Sequence, residues 1–86
     1  MDVTSDSELT QRALRRIRAG RLPPQEPARV WAGHGSGEVC ALCDSTISSK
    51  DLQYEFELES DGLPRGFQFH IRCARLYQGA TVTGRF

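Results

Sequence analysis

No apolar run in this chain of 86 residues approaches the ~18 that a membrane-crossing helix requires, so a transmembrane span is excluded. The first residues, Met1 to Glu8, are acidic and polar and hold no apolar stretch of the secretory kind. No secretory signal is expected. An excess of one charge is also lacking, since 11 Lys and Arg balance 11 Asp and Glu. The chain as a whole is therefore no electrostatic binder of nucleic acid. Apolar residues make up only 38%, with one Trp, two Tyr, four Phe and one Met against eight glycines. One domain at most is expected, and a chain this short buries little more than ~60% of its unfolded surface. So thin a core needs a disulfide, a metal or a partner chain.

Cysteine is scarce too, at three residues, Cys40, Cys43 and Cys73. An odd count without a secretory signal argues against a disulfide framework and for a reducing, cytoplasmic setting. What is present is the spacing. Cys40-Ala41-Leu42-Cys43 is a C-x2-C pair, and His70-Ile71-Arg72-Cys73 is an H-x2-C pair. Each pair can reach one ion from a single turn, and two pairs complete the tetrahedron of a structural zinc site. Buried free cysteines and a redox C-x-x-C are the plainer readings. The first must explain why all three cysteines fall in ligand spacing; the second needs a βαβ fold that this chain cannot hold. One Zn2+ on Cys40, Cys43, His70 and Cys73 is the expectation. His34, in a glycine-rich loop, reads as a bystander.

The remaining pattern predicts a small α+β domain: an N-terminal helix, a short antiparallel sheet or hairpin, and a short C-terminal helix. Ser5-Asp6-Ser7-Glu8 is a capping box and Gly20 a stop, giving a helix over 4–19 with Leu9, Ala13, Leu14 and Ile17 as its apolar stripe. Arg12, Arg15, Arg16 and Arg18 make its other surface basic, either as a solvated face or as a patch for phosphate or an acidic partner. Residues 1–20 are read as this helical segment. Residues 21–37, rich in Pro and Gly, are read as an irregular strap in which Trp31 packs on the core. Residues 38–79 form the zinc module. Within it, Leu52, Tyr54, Phe56 and Leu58 alternate with Gln53, Glu55, Glu57 and Glu59, which predicts a half-buried strand with its carboxylates outward. Asp61-Gly62 marks a turn, 66–70 the return strand, and 71–77 a helix ended by Gly79. Residues 80–86 are left as a tail.

The spacing of Cys40, Cys43, His70 and Cys73, with Ile47, Lys50 and Leu52 between, resembles the zinc finger of poly(ADP-ribose) polymerases over roughly residues 38–78. It is also similar to small bacterial proteins carrying a W-x-G-x-G-x-G stretch, here Trp31, Gly33, Gly35 and Gly37. The polymerase finger binds DNA nicks and ends, and the resemblance implies the same four zinc ligands. It carries the DNA contacts over poorly. Where that finger has a basic residue after the leucine matching Leu52, this chain has Gln53, followed by the acidic row Glu55, Glu57 and Glu59. Three carboxylates repel a phosphate backbone.

Three functions compete on these terms. The favoured one is a non-enzymatic zinc module that binds another macromolecule, a protein, with Glu55, Glu57 and Glu59 as an acidic strip. The alternative is a nucleic-acid binder that uses Arg12, Arg15, Arg16, Arg18, Arg65, Arg72 and Arg75. An enzyme with catalytic zinc comes third, because such sites keep a fourth position open and here four ligands fill the shell. No membrane and no small-molecule substrate is expected.

Overall fold

The computed structural model describes residues 5–24, 27, 29–60 and 62–83. Helix α1 spans Asp6–Arg18, and Ser5 caps it with an extended backbone, its Oγ accepting from the Glu8 N–H at 3.1 Å. Acidic Asp6 and Glu8 in the first turn and Arg15, Arg16 and Arg18 in the last both suit the helix dipole. Gly20 ends the run at φ +75, a conformation that costs a glycine nothing.

Three strands follow: β1 (Arg29–His34), β2 (Leu52–Ser60) and β3 (Leu63–His70). They form one antiparallel sheet in the order β1-β2-β3, with Phe56 opposite both Val30 and Phe67. Helix α2 (Ile71–Thr83) starts directly at the end of β3 and packs back on β2 and β3, and α1 packs on α2. The architecture is α+β, a three-stranded sheet with helices at either end of the chain. No helix among the described residues is long and apolar enough to cross a membrane.

Aromatic rings anchor the core. Phe56 lies 5.3 Å from Phe69, and Phe69 stacks on Tyr77 at 5.0 Å, all three buried. The Tyr77 hydroxyl donates to the Pro23 carbonyl, which ties the segment after α1 to α2, and burial pushes its pKa up to about 12. Tyr77→Phe keeps the ring but leaves a buried carbonyl unpartnered. A loss of ~1–3 kcal/mol is expected, read from the midpoint of denaturant unfolding.

Four expectations change here. The strap contains a strand: Arg29–His34 pairs along β2, and Trp31, expected in the core, sits on that edge strand 47% exposed. Helix α2 covers β2 and β3 and neither helix reaches β1, so the β1 side chains stay in solvent. Leu52 is likewise 57% exposed, because it pairs with His34 at the uncovered end of the sheet. Gln53 is buried instead, its amide oxygen accepting from the Ser36 N–H at 3.3 Å. Finally, α2 runs through Gly79 to Thr83. Buried Ala80 and Thr81 offset the ~1 kcal/mol that a glycine costs inside a helix. Asp61 of the expected turn and residues 84–86 of the expected tail lie outside the described residues.

Candidate metal centre

The stretch from Gly35 to Ile47 folds into a narrow loop that presents the first ligand pair. Val39 bridges Thr46, the Ile47 N–H donates to the Glu38 carbonyl, and the Cys40 N–H donates to the Ser45 carbonyl at 2.9 Å. Gly35 approaches the return of this loop so closely that a Cβ there would lie 2.0 Å from the Ser48 carbonyl oxygen. Only glycine fits. Cys40 to Asp44 then make one tight turn, closed by the Asp44 N–H on the Cys40 carbonyl at 3.1 Å. Asp44 sits at φ +67, a left-handed conformation that Asp tolerates better than most residues. The Ala41 N–H donates to the Gln68 carbonyl at 2.8 Å, which fixes the turn against β3.

The second ligand pair comes from a junction. His70 is the last residue of β3 and Cys73 lies in the first turn of α2. The four ligand atoms of Cys40, Cys43, His70 and Cys73 all lie within 4.8 Å of one another, a group that could hold a metal ion. A tetrahedron with bonds of ~2.3 Å has edges of ~3.8 Å, so a small contraction suffices. His70 turns Nδ1 to the cluster, 3.3 Å from the Cys43 sulfur. Cys40 and Cys73 are buried, Cys43 and His70 half-buried. His34 lies at the end of β1, exposed, and takes no part in this group.

The cluster holds its protons unevenly. The Cys40 thiol is driven down, first by a hydrogen bond from Cys73 and then, against the cost of burial, by backbone hydrogen bonds at Cys43, His70 and Leu42. Cys73 is driven up by that same hydrogen bond, by burial and by the charges of Cys40 and Cys43. A cation bound there would displace thiol protons.

The arginines of α1 meet this turn, which the sequence did not reveal. Arg16 Nη1 donates to the carbonyls of Ala41 at 2.7 Å and Leu42 at 3.0 Å, and its Nη2 lies 2.6 Å from Asp44 Oδ2. Arg12 Nη1 donates to the carbonyls of Leu42 and Cys43. Both guanidiniums thus bind the backbone of the ligand turn. The hydrogen bond from Arg16, with the nearby positive charges, holds the Asp44 carboxyl below its usual range. Asp44, directly after the C-x2-C pair, and two arginines one helical turn apart were the available signal.

The other candidates are dispersed. Arg72 pairs with Asp6 at 2.6 Å, while Arg15, Arg18, Arg65 and Arg75 are exposed. Glu55 and Glu57 are half-buried and Glu59 exposed; Glu57 lies 3.9 Å from Arg29. The arginine face of α1 contacts the ligand turn instead of these glutamates. Comparison with family models, with curated proteins and with solved structures returned no match to the chain. The likeness to the polymerase finger therefore rests on the ligand group alone.

Proposed function

We propose that the chain is a structural-zinc module that works by binding another protein and carries out no catalysis. The observation that carries the reading is the closed Cys3His group on a turn and a strand–helix junction. Three thiolates and one imidazole satisfy zinc's tetrahedral preference and leave no position for substrate or activated water. The ion's role is then to hold the turn, β3 and α2 together. Elemental analysis should find one zinc per chain, and X-ray absorption should report three sulfurs and one nitrogen. A bound water, or an iron spectrum, would overturn it.

A protein partner is supported by what the fold leaves uncovered. Among the described residues strand β1 is a sheet edge with no strand on its outer side, with Val30 and Trp31 about half exposed, beside the acidic residues of β2. Open edges of this kind accept an added strand. The test is crosslinking of wild-type and Trp31→Arg protein in cells. Crosslinks from β1 to one protein, lost in the variant while its fold persists, would support the reading; identical crosslinks would contradict it. The nucleic-acid alternative must draw on the exposed arginines, since Arg12 and Arg16 are committed within the chain. A salt-dependent titration with nicked, duplex and single-stranded DNA decides it.

A further inference from the structure

Among the described residues, the C-terminal end of α1 gathers more positive charge than the side chains paired with it neutralise. Arg12, Arg15 and Arg16 fall three and four residues apart on one helix face. Past Gly20 the chain turns back, its Arg21 N–H donating to the Arg16 carbonyl at 2.8 Å. The four arginines, with Ala19, line an open depression of about 280 Å³. Like charges at this helical spacing repel. Asp44 is the carboxylate paired with Arg16 and Arg12, and Arg15 and Arg21 have no side-chain hydrogen bond or ion pair among the described residues. A second depression of about 240 Å³ shares Arg16 and Arg21, and its wall adds Leu22, Val39 and Phe67 as well as Asp44.

We propose that the cup lined by Arg12, Arg15, Arg16 and Arg21 binds a single phosphoryl group on the guanidiniums of Arg15 and Arg21, while Arg12 and Arg16 stay on the ligand turn and add only their charge, with an apolar part of the same ligand resting on Val39 and Phe67. Guanidinium forks match phosphate oxygens two at a time, and an oxyanion relieves the repulsion among the four. The four arginines line one hollow. Asp44 in the neighbouring hollow repels a second phosphate there, so the uncharged end of the ligand belongs on that side. A phosphomonoester with an apolar substituent fits this layout better than a phosphodiester chain. The site is separate from the protein-binding edge and goes beyond the function proposed above.

The metal-loaded full chain would be titrated by NMR with phenyl phosphate, inorganic phosphate and a short DNA duplex. Phenyl phosphate should move the amides of Arg15, Arg16, Arg21, Val39 and Phe67, and bind about tenfold tighter than inorganic phosphate. The double variant Arg15→Ala/Arg21→Ala, both side chains exposed, should keep its spectrum and lose about tenfold or more in affinity. Arg18→Ala, outside the cup, should stay within about twofold. No shifts with either phosphate, or equal binding by the double variant, would overturn the proposal. Duplex DNA that binds more tightly and resists competition by phenyl phosphate would overturn it in favour of a backbone track.

Discussion

Removing the proposed zinc with a strong chelator is expected to unfold residues 38–78, with loss of chemical-shift dispersion across the ligand turn, β3 and α2. The apparent free energy of binding structural zinc, about 10–16 kcal/mol at neutral pH, is as large as the whole stability of a small domain. Without the ion, the turn is held to the rest by Gln68 on β3 and by two arginines. Burial of the Cys40 and Cys73 sulfurs is then no longer offset by bonds to an ion. Cys73→Ser should have the same effect, because it removes the ligand that joins α2 to the site. Acid should act likewise, because protons compete with the metal for its ligands. Native dispersion that survives complete metal removal would refute this account.

The second large effect is expected from Arg16→Ala. Arg16 makes two hydrogen bonds to carbonyls of the ligand turn and a two-pronged contact with Asp44. Hydrogen bonds from a charged donor contribute ~1.5–3 kcal/mol each, while the half-exposed Asp44 pair adds at most ~1. A loss of about 2–4 kcal/mol is expected by denaturant titration. Metal affinity should fall about 10–100-fold, as when other groups that orient ligands are removed. Arg16→Lys keeps the charge without the planar fork and should recover only part. The pH dependence supplies a separate readout. Asp44 is held below its ordinary 3.8, so its contribution is complete at neutral pH and disappears as pH falls through that lower folded value. In Arg16→Ala the Asp44 titration should move back up toward 3.8. An unmoved Asp44 titration together with full zinc affinity would show that Arg16 is only a surface residue.

The contrast between the ligands and the arginines shows where sequence information is local. Cys40 and Cys43, or His70 and Cys73, declare their chemistry within four residues, and any fold that joins the pairs yields the same site. The capping box at Ser5 and the alternation around Phe56 are equally local, and α1 and β2 follow from them. Strand β1 was hidden because Val30 and Trp31 stand among glycines and prolines, and a two-residue period needs a longer run to show. Its pairing is supplied by β2, 18 to 28 residues on. Leu52 obeys the alternation but lies past the reach of the helices, so the period alone misjudged its burial. The arginines were legible as basic but not as occupied. Their partners at Ala41, Leu42 and Cys43 lie 25 to 31 residues away, and nothing in the helix itself points there.

Two contacts join the N-terminal part of the chain to its last element: Asp6 of α1 to Arg72, and Pro23, just after α1, to Tyr77. During synthesis α1 therefore leaves the ribosome with nothing to pack on, and an isolated helix of 13 residues is marginal in water. Cys40 and Cys43 follow as a two-ligand half-site, which holds zinc weakly and can lose it to other thiols. The remaining ligands, His70 and Cys73, emerge only with α2, the same element that α1 requires. Metal capture and helix docking thus become possible together, late in translation. A nascent chain stalled before Cys73 should bind zinc poorly and be digested by protease along its whole length.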